Sequence, residues 1–248
     1  MELDHGLHLG YCTNIHRGES WDETQANLKN HTLAVRDRVG RATRFGIGLR
    51  LSKVAADTLA RPEQLDAFRQ WLDDENCYVF TINGFPYGQF HGTRVKEQVY
   101  LPDWGSQERL LYTNKLFDIL SALLPEGIPG SVSPLPGSFK EFAIDAGGLD
   151  RILSNINTCR RHIEGLRERN GQDLHLGLEP EPLGLFETTG ESIKFFGLLL
   201  DHTGGDSSIL KTVGINYDTC HMAIEFEEAE EALQRFHNHG IRLSKIHL

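Results

Sequence analysis

The sequence lacks the features that mark secreted, membrane-spanning or zinc-knot proteins. Its four cysteines lie far apart without a C-x-x-C pair, so neither a zinc knot nor a disulfide framework is predicted. No apolar run approaches the roughly 18 residues that a membrane span needs. The first residues show no cationic segment followed by an apolar one, so we expect no signal peptide and a cytoplasmic protein.

Clusters of basic residues are also missing, and the net charge is -10. A large nucleic-acid interface is therefore not expected, because neutralising phosphates requires clustered lysine and arginine. The balance favours a cation or a small polar metabolite as ligand. The length of 248 residues suits one domain spanning 1–248, since strand–helix barrels typically run to about 250 residues.

Short apolar runs alternate with long amphipathic segments along the whole chain, which implies parallel strands joined by helices. We predict strands at Leu7–Asn14, Phe45–Leu51, Cys77–Asn83, Ser131–Ser133, Leu174–Glu179, Val213–Asp218 and from Leu243 onwards. We predict helices from a capping box at Ser20 to about Val39, from Pro62 through Leu72, and over Leu110–Leu124, Leu149–Leu166 and Ala229–Phe236.

Side chains in most strands alternate between an apolar face and a face that changes from glycine to polar residues. In strand three, this alternation assigns Phe80 and Ile82 to one face and Val79 and Asn83 to the other. An open sheet covered by helices on both sides would be apolar on both faces, so we favour a (β/α)8 TIM barrel with a polar mouth. The inward residues at the mouth would be Asn14, Arg50, Asn83, Glu179, Asp218 and His247. A full barrel would need a further helix and an eighth strand, so we expect either a fragment or a wall completed in another way.

Three residues at the ends of successive predicted strands, Glu179, Asp218 and His247, form a candidate metal site. Two carboxylates and an imidazole suit Mn²⁺, Zn²⁺, Co²⁺ or Mg²⁺, although such mouth residues can also be merely solvated. Glu181 has the same parity as Glu179 and is a second carboxylate of the site or a rim residue. His221 reaches the site only if a turn follows Asp218.

The long segment from Gly84 to Trp104 follows strand three on the mouth side and is rich in aromatic and basic residues. Loops of this length in a compact barrel usually serve as functional lids. Arg94 and Lys96 could hold a phosphate or carboxylate; the alternative is a packed aromatic loop with solvated bases.

Several motifs resemble those of a known superfamily. Asp218–His221 reads Asp-Thr-x-His, and Glu179 is followed by Leu185–Glu187, which reads Leu-Phe-Glu. Together with His247, they resemble the xylose-isomerase-like TIM barrels, which include sugar and sugar-phosphate isomerases, ketose 3-epimerases and type IV AP endonucleases. The segment Thr81–Arg94 (TINGFPYGQFHGTR) looks more particularly like EboE-type metabolite-traffic proteins, and the resemblance covers essentially all 248 residues.

The resemblance implies a divalent metal held by Glu179, Asp218 and His247; the superfamily's fourth ligand, a glutamate on strand eight, is absent from the sequence. It further implies that His221 touches substrate oxygens and that Glu187 binds a hydroxyl. Taken with the strand pattern and the loop, the candidate catalytic residues are Glu179, His221 and Glu181. The candidate substrate-binding residues are Asn14, Arg50, Asn83, His91, Arg94 and Glu187.

The leading hypothesis is a metal-dependent isomerase or epimerase of a small polar carbonyl metabolite or sugar phosphate. In such a reaction the metal polarises the carbonyl and a carboxylate removes the neighbouring proton. A second hypothesis, favoured by the EboE resemblance, is a non-catalytic protein that binds or escorts a metabolite. A third, a type IV AP-endonuclease-like phosphodiesterase, is disfavoured by the acidic chain.

Overall fold

The computed structural model describes residues 1–40, 43–88, 96–142 and 146–248. At its centre is a seven-stranded parallel sheet in which the strand order follows the chain. The strands are β1 (Gly10–Cys12), β2 (Phe45–Arg50), β3 (Cys77–Asn83), β4 (Gly130–Ser133), β5 (Leu174–Leu178), β6 (Val213–Asp218) and β7 (Arg242–His247). Parallel pairing confirms the prediction from strand–helix alternation.

Helices connect the strands, and those expected from the amphipathic patterns are present. They are α1 (Trp21–Asn27), α2 (Leu33–Val39), α3 (Lys53–Leu59), α4 (Pro62–Asp74), α5 (Gln107–Leu123), α6 (Ala146–Asn170), α7 (Thr189–His202), α8 (Ile209–Thr212), α9 (Thr219–Ile224) and α10 (Ala229–Asn238). A π-helical segment, Leu28–Thr32, joins α1 to α2. No helix in the described ranges is long and apolar enough to cross a membrane.

The capping box at the start of α1 is confirmed. The Ser20 hydroxyl accepts a hydrogen bond from the backbone N–H of Glu23, whose carboxylate accepts one from the N–H of Ser20. Two donors that would otherwise lack a partner at the first helical turn are satisfied in this way. The capping box therefore defines the residue at which the first βα loop ends and α1 begins.

The sheet curls, with its apolar face outside and its polar face inside. Ile47, Leu49, Leu176 and Ile215 are fully buried on the outer face. Strand β7 contacts β4 and β5 as well as its hydrogen-bonded neighbour β6, which a flat sheet of this order would not allow. The predicted barrel type of architecture is confirmed as a curled, seven-stranded half-barrel.

The prediction for the first strand was too long at both ends. The strand itself covers only Gly10–Cys12. Before it, the Met1 ammonium donates to the carbonyl of Leu9 at 2.6 Å, and Glu2 forms an antiparallel bridge with His8. After it, Thr13–Ile15 form a 3-10 turn, so Asn14 lies beyond the strand rather than on its inward face.

The parity predicted for strand β3 was wrong because the register between β2 and β3 skips Phe80. This irregularity places Val79 and Ile82 on the same buried, outer face of the sheet. The Phe80 ring instead lies over Gly10 and Gly46, where a Cβ would come within 2.8 and 3.0 Å of the ring, respectively. The glycines of β1 and β2 therefore leave room for an aromatic ring inside the sheet.

Candidate metal centre

The parallel sheet brings together the three residues predicted as metal ligands. Glu179 directly follows β5, while Asp218 and His247 are the last residues of β6 and β7. The C-terminal ends of parallel strands lie at one edge of the sheet. One potential ligand atom from each residue lies within 4.8 Å of the other two. The three side chains are therefore close enough to share one cation.

The Asp218–His247 pair has the features of two ligands facing one ion. Nδ1 of His247 lies 3.2 Å from Oδ2 of Asp218, yet this buried nitrogen has no well-oriented hydrogen-bond partner among the described residues. The neighbouring carboxylate raises the pKa of His247 to about 10. Burial alone would raise the pKa of Asp218, but the imidazole lowers it. This donor set fits a divalent metal, whose binding would displace a proton from the pair.

Glu179 is buried and held by one strong contact. The side-chain amide of Asn216 donates to Oε2 of Glu179 at 2.7 Å, and both side chains are shielded from solvent. Burial raises the pKa of Glu179, and nearby carboxylates add to this effect, whereas Lys245 and His221 oppose it. The other oxygen, Oε1, lies 3.7 Å from Nδ1 of His221.

A turn brings His221 into the centre, as the sequence required. Strand β6 ends at Asp218, whose carboxylate accepts hydrogen bonds from the backbone N–H groups of Cys220 and His221 at 2.8 and 3.2 Å and so caps α9. Nδ1 of His221 lies 3.1 Å from the carbonyl of Pro180, which can only accept, so Nδ1 carries the proton. Nε2 then faces the centre, 4.0 Å from Oδ2 of Asp218.

The two remaining acidic candidates have different surroundings. Glu181 lies beside Tyr100, whose pKa is raised by burial and by this carboxylate. Glu187 forms an ion pair with Lys140, which also contacts Glu191 at 2.9 Å. Glu181 thus sits near Glu179, while Glu187 already has a cationic partner. Their roles as a second carboxylate and a hydroxyl ligand stay predictions.

Two of the three candidate substrate residues near the first strands, Arg50 and Asn83, also have structural partners. Arg50 donates to two loop carbonyls and, at 2.9 Å, to the carboxylate of Glu19. The side-chain oxygen of Asn83 accepts from the backbone N–H two residues further on at 3.0 Å. The side-chain oxygen of Asn14 is buried and has no hydrogen-bond partner among the described residues. Arg50 therefore connects loops around the mouth, and its substrate-binding role stays a prediction.

The loop after β3 is described only in part. His91 and Arg94, two of the predicted substrate-binding residues, lie outside the described residues. On either side of that gap, Phe85, Tyr100 and Trp104 are buried. These three aromatic residues belong to the hydrophobic core.

Three polar residues near the mouth were missed by the sequence analysis. Asn216 and Lys245 occupy the same period-two face as the metal-ligand candidates of their strands, and this signal could have identified them. Arg109 is fully buried in α5 and donates to the carbonyls of Gly84 and Pro102 at 2.7 and 2.8 Å. Arg109 thereby holds the two ends of this loop together. The sequence does not indicate this role, because an arginine in an amphipathic helix is usually a surface residue.

The sequence matches no protein-family profile and no curated protein, but solved structures share its fold. A xylose isomerase domain protein from Planctomyces limnophilus has a TM-score of 0.55 and 16% identity, covering 86% of this chain and 67% of its own. The 3-keto-D-glucoside 4-epimerase YcjR from E. coli has a TM-score of 0.53 and 15% identity, with coverage of 96% and 76%. The IolI protein, solved with a zinc atom, has a TM-score of 0.52 and 14% identity, with coverage of 87% and 66%.

These structural neighbours are xylose-isomerase-like TIM barrels, among them sugar isomerases and epimerases. At identities of 14–16% the likeness shows the fold alone. This chain spans 62% of the L-ribulose 3-epimerase structure and 76% of YcjR. It therefore corresponds to only part of each of these proteins.

Proposed function

We propose that the chain carries a divalent-metal-dependent isomerase or epimerase site for a small polyhydroxylated carbonyl compound. The observation that carries the proposal is the convergence of Glu179, Asp218 and His247 within 4.8 Å at one edge of the sheet. The fold shared with sugar epimerases, and with a protein solved with zinc, supports it.

The metal, when bound to these three residues, would polarise the substrate carbonyl and offset the negative charge that develops on its oxygen. Glu179 would remove the proton from the neighbouring carbon, because its raised pKa brings it closer to that of an effective base near neutral pH. Asn216 would hold this carboxylate in orientation through Oε2. His221 would present Nε2 to a substrate oxygen, and Glu181 would supply the second carboxylate.

The setting we propose is cytoplasmic metabolite traffic of the EboE type, supported by the resemblance of the segment Thr81–Arg94. A non-catalytic escort would offer aromatic surface to an apolar cargo. Of the aromatic residues expected to offer that surface, Phe85 is buried and Phe90 lies outside the described residues, so the described part of the loop lends the escort role little support. The acidic composition, with a net charge of -10, likewise gives no support to a nucleic-acid substrate.

The test is exchange of solvent deuterium into carbon-bound positions of aldoses, ketoses, their phosphates and polyhydroxylated keto acids, followed by NMR with the metal-loaded protein. We expect deuterium next to the carbonyl of at least one compound, because only proton abstraction at carbon introduces it. Glu179→Gln should slow exchange by about 10²–10⁴-fold. Glu230→Gln, an exposed residue of α10, should not change it. Absence of exchange with metal bound, or equal rates in Glu179→Gln, would contradict the proposal.

A further inference from the structure

Lys245 places a positive charge on the floor of the candidate metal centre. Strand β7 pairs Lys245 with Asn216 and His247 with Asp218, so the lysine has the same inward direction as the metal-ligand candidate two residues later. Its ammonium reaches across the curled sheet to the hydroxyl of Ser133, the last residue of β4, at 3.2 Å. The side chain thus crosses beneath the mouth from β7 to β4.

The Lys245 ammonium lies close to Glu179, the residue that follows β5. The ammonium contacts Ser133, and the carbonyl of the next residue, Pro134, accepts a hydrogen bond from the backbone N–H of Glu179 at 3.3 Å. No carboxylate in the described part of the chain lies within 4.0 Å of the ammonium, so Glu179 is near but does not form an ion pair with it.

The ammonium has hydrogen-bonding capacity that the described residues leave unused. A lysine ammonium has three donors, and the hydroxyl of Ser133 accepts one. Arg50 differs, because its guanidinium donates to Gly18, Glu19 and Gly88. Of these two mouth cations, Lys245 is the one available to a ligand.

We propose that Lys245 selects substrates with a carboxylate directly next to the metal-chelating hydroxyl or carbonyl group, that is, hydroxy or keto acids rather than neutral sugars. This inference rests on the proposed function, since the chelated end of the substrate is fixed by the metal. A carboxylate one carbon away from a chelating oxygen lies at the floor, within reach of the ammonium. A phosphate at the far end of a sugar would instead point out of the mouth.

A matched set of four-carbon probes tests the proposal: D-erythronate carries the carboxylate at the chelating end, erythritol is neutral, and erythritol 4-phosphate carries its charge at the far end. Each is titrated by calorimetry into Mn²⁺-loaded protein. Wild type should bind D-erythronate at least about tenfold more tightly than erythritol, as expected for a hydrogen bond to a charged group. Lys245→Met should weaken D-erythronate by about 10- to 100-fold and change the other two by less than about twofold.

Two further variants keep the experiment decisive. Lys245→Gln keeps a polar side chain without the charge and should behave like Lys245→Met, so a folding defect in one variant does not decide the result. Lys194→Met removes an exposed lysine of α7 and should leave all three affinities unchanged. An unchanged ratio of D-erythronate to erythritol affinity in both Lys245 variants would overturn the proposal, as would a wild-type preference for erythritol or for the 4-phosphate.

Metal content is measured on the same samples, which separates this inference from the proposed function. If wild type and Lys245→Met both hold metal but bind D-erythronate equally, only the role of Lys245 is wrong. If wild type holds no metal, the proposed function fails and the inference fails with it.

Discussion

The hydrogen bond from Asn216 orients the Glu179 carboxylate in the centre. The amide donates to Oε2 of Glu179 at 2.7 Å inside a buried environment. Partners that orient a metal ligand commonly account for about 10- to 100-fold in metal affinity. Asn216→Ala should therefore weaken Co²⁺ binding by about that factor, measured by titration against a competing chelator. Asn238→Ala, an exposed residue of α10, is the control, and equal affinities in the two variants would contradict the role of Asn216.

His175, at the start of β5, gives the stability of the fold a pH dependence. Burial and, to a lesser extent, the nearby Arg242 lower the pKa of this imidazole below its usual 6.5. The unfolded chain then takes up a proton that the folded chain does not, so stability is lost as the pH falls below about 6.5. Relative to His175→Gln, wild type should lose up to about 1.4 kcal/mol of unfolding free energy per pH unit between about pH 6 and 5. Urea denaturation at several pH values measures this difference, and parallel curves for the two proteins would rule it out.

At the scale of elements, the packing of Phe80 depends on glycine in the neighbouring strands. A Cβ at Gly46 would lie 2.6 Å from the carbonyl oxygen of Leu9 and 3.0 Å from the Phe80 ring, so the backbone must shift. Gly46→Ala should destabilise the protein by about 1–3 kcal/mol in urea denaturation. Gly197→Ala, in α7 with no neighbour within 4 Å of its added Cβ, should instead stabilise it by about 0.5–1 kcal/mol. A neutral or stabilising effect at Gly46 would show that the sheet has more room than the contacts indicate.

Strands with unbroken alternation could be predicted from the sequence, and with them the direction of the site residues. In β5 and β6 a leucine or other apolar side chain alternates with glycine or a polar one, and these strands position Glu179 and Asp218. The faces of the β3 side chains could not be predicted in this way. The register with β2 skips Phe80, and the order of residue types does not indicate this irregularity. Helix α7 was missed although Thr188 caps it through the backbone N–H of Glu191, a signal that the sequence contains.

Contacts across the half-barrel were beyond the sequence analysis. Lys245 and Ser133 are 112 residues apart, and their hydrogen bond exists only because the sheet curls far enough to bring β7 towards β4. Periodicity gives the face on which a side chain lies, but not how strongly the sheet twists and coils. The ligand set could therefore be predicted strand by strand, whereas the contact of Lys245 with Ser133 could not.

At the scale of the whole molecule, the centre lies where three neighbouring strands end, because its ligand candidates come from the C-terminal ends of β5, β6 and β7. Asp218 has a double role here, because the same carboxylate that faces His247 also caps α9. Replacing it with alanine would remove both functions. Asp218→Asn keeps an oxygen that can accept the capping hydrogen bonds and removes the negative charge, so it separates metal binding from folding.

Elemental analysis of wild type and Asp218→Asn tests the central claim most directly, after loading with Mn²⁺, Zn²⁺, Co²⁺ or Mg²⁺ and removal of free ions by gel filtration. Wild type should retain about one divalent ion per chain, and Asp218→Asn only the background amount, although the metal-free variant still folds. Wild type without metal above background, or equal metal content in both proteins, would contradict the assignment of Glu179, Asp218 and His247 as a metal centre.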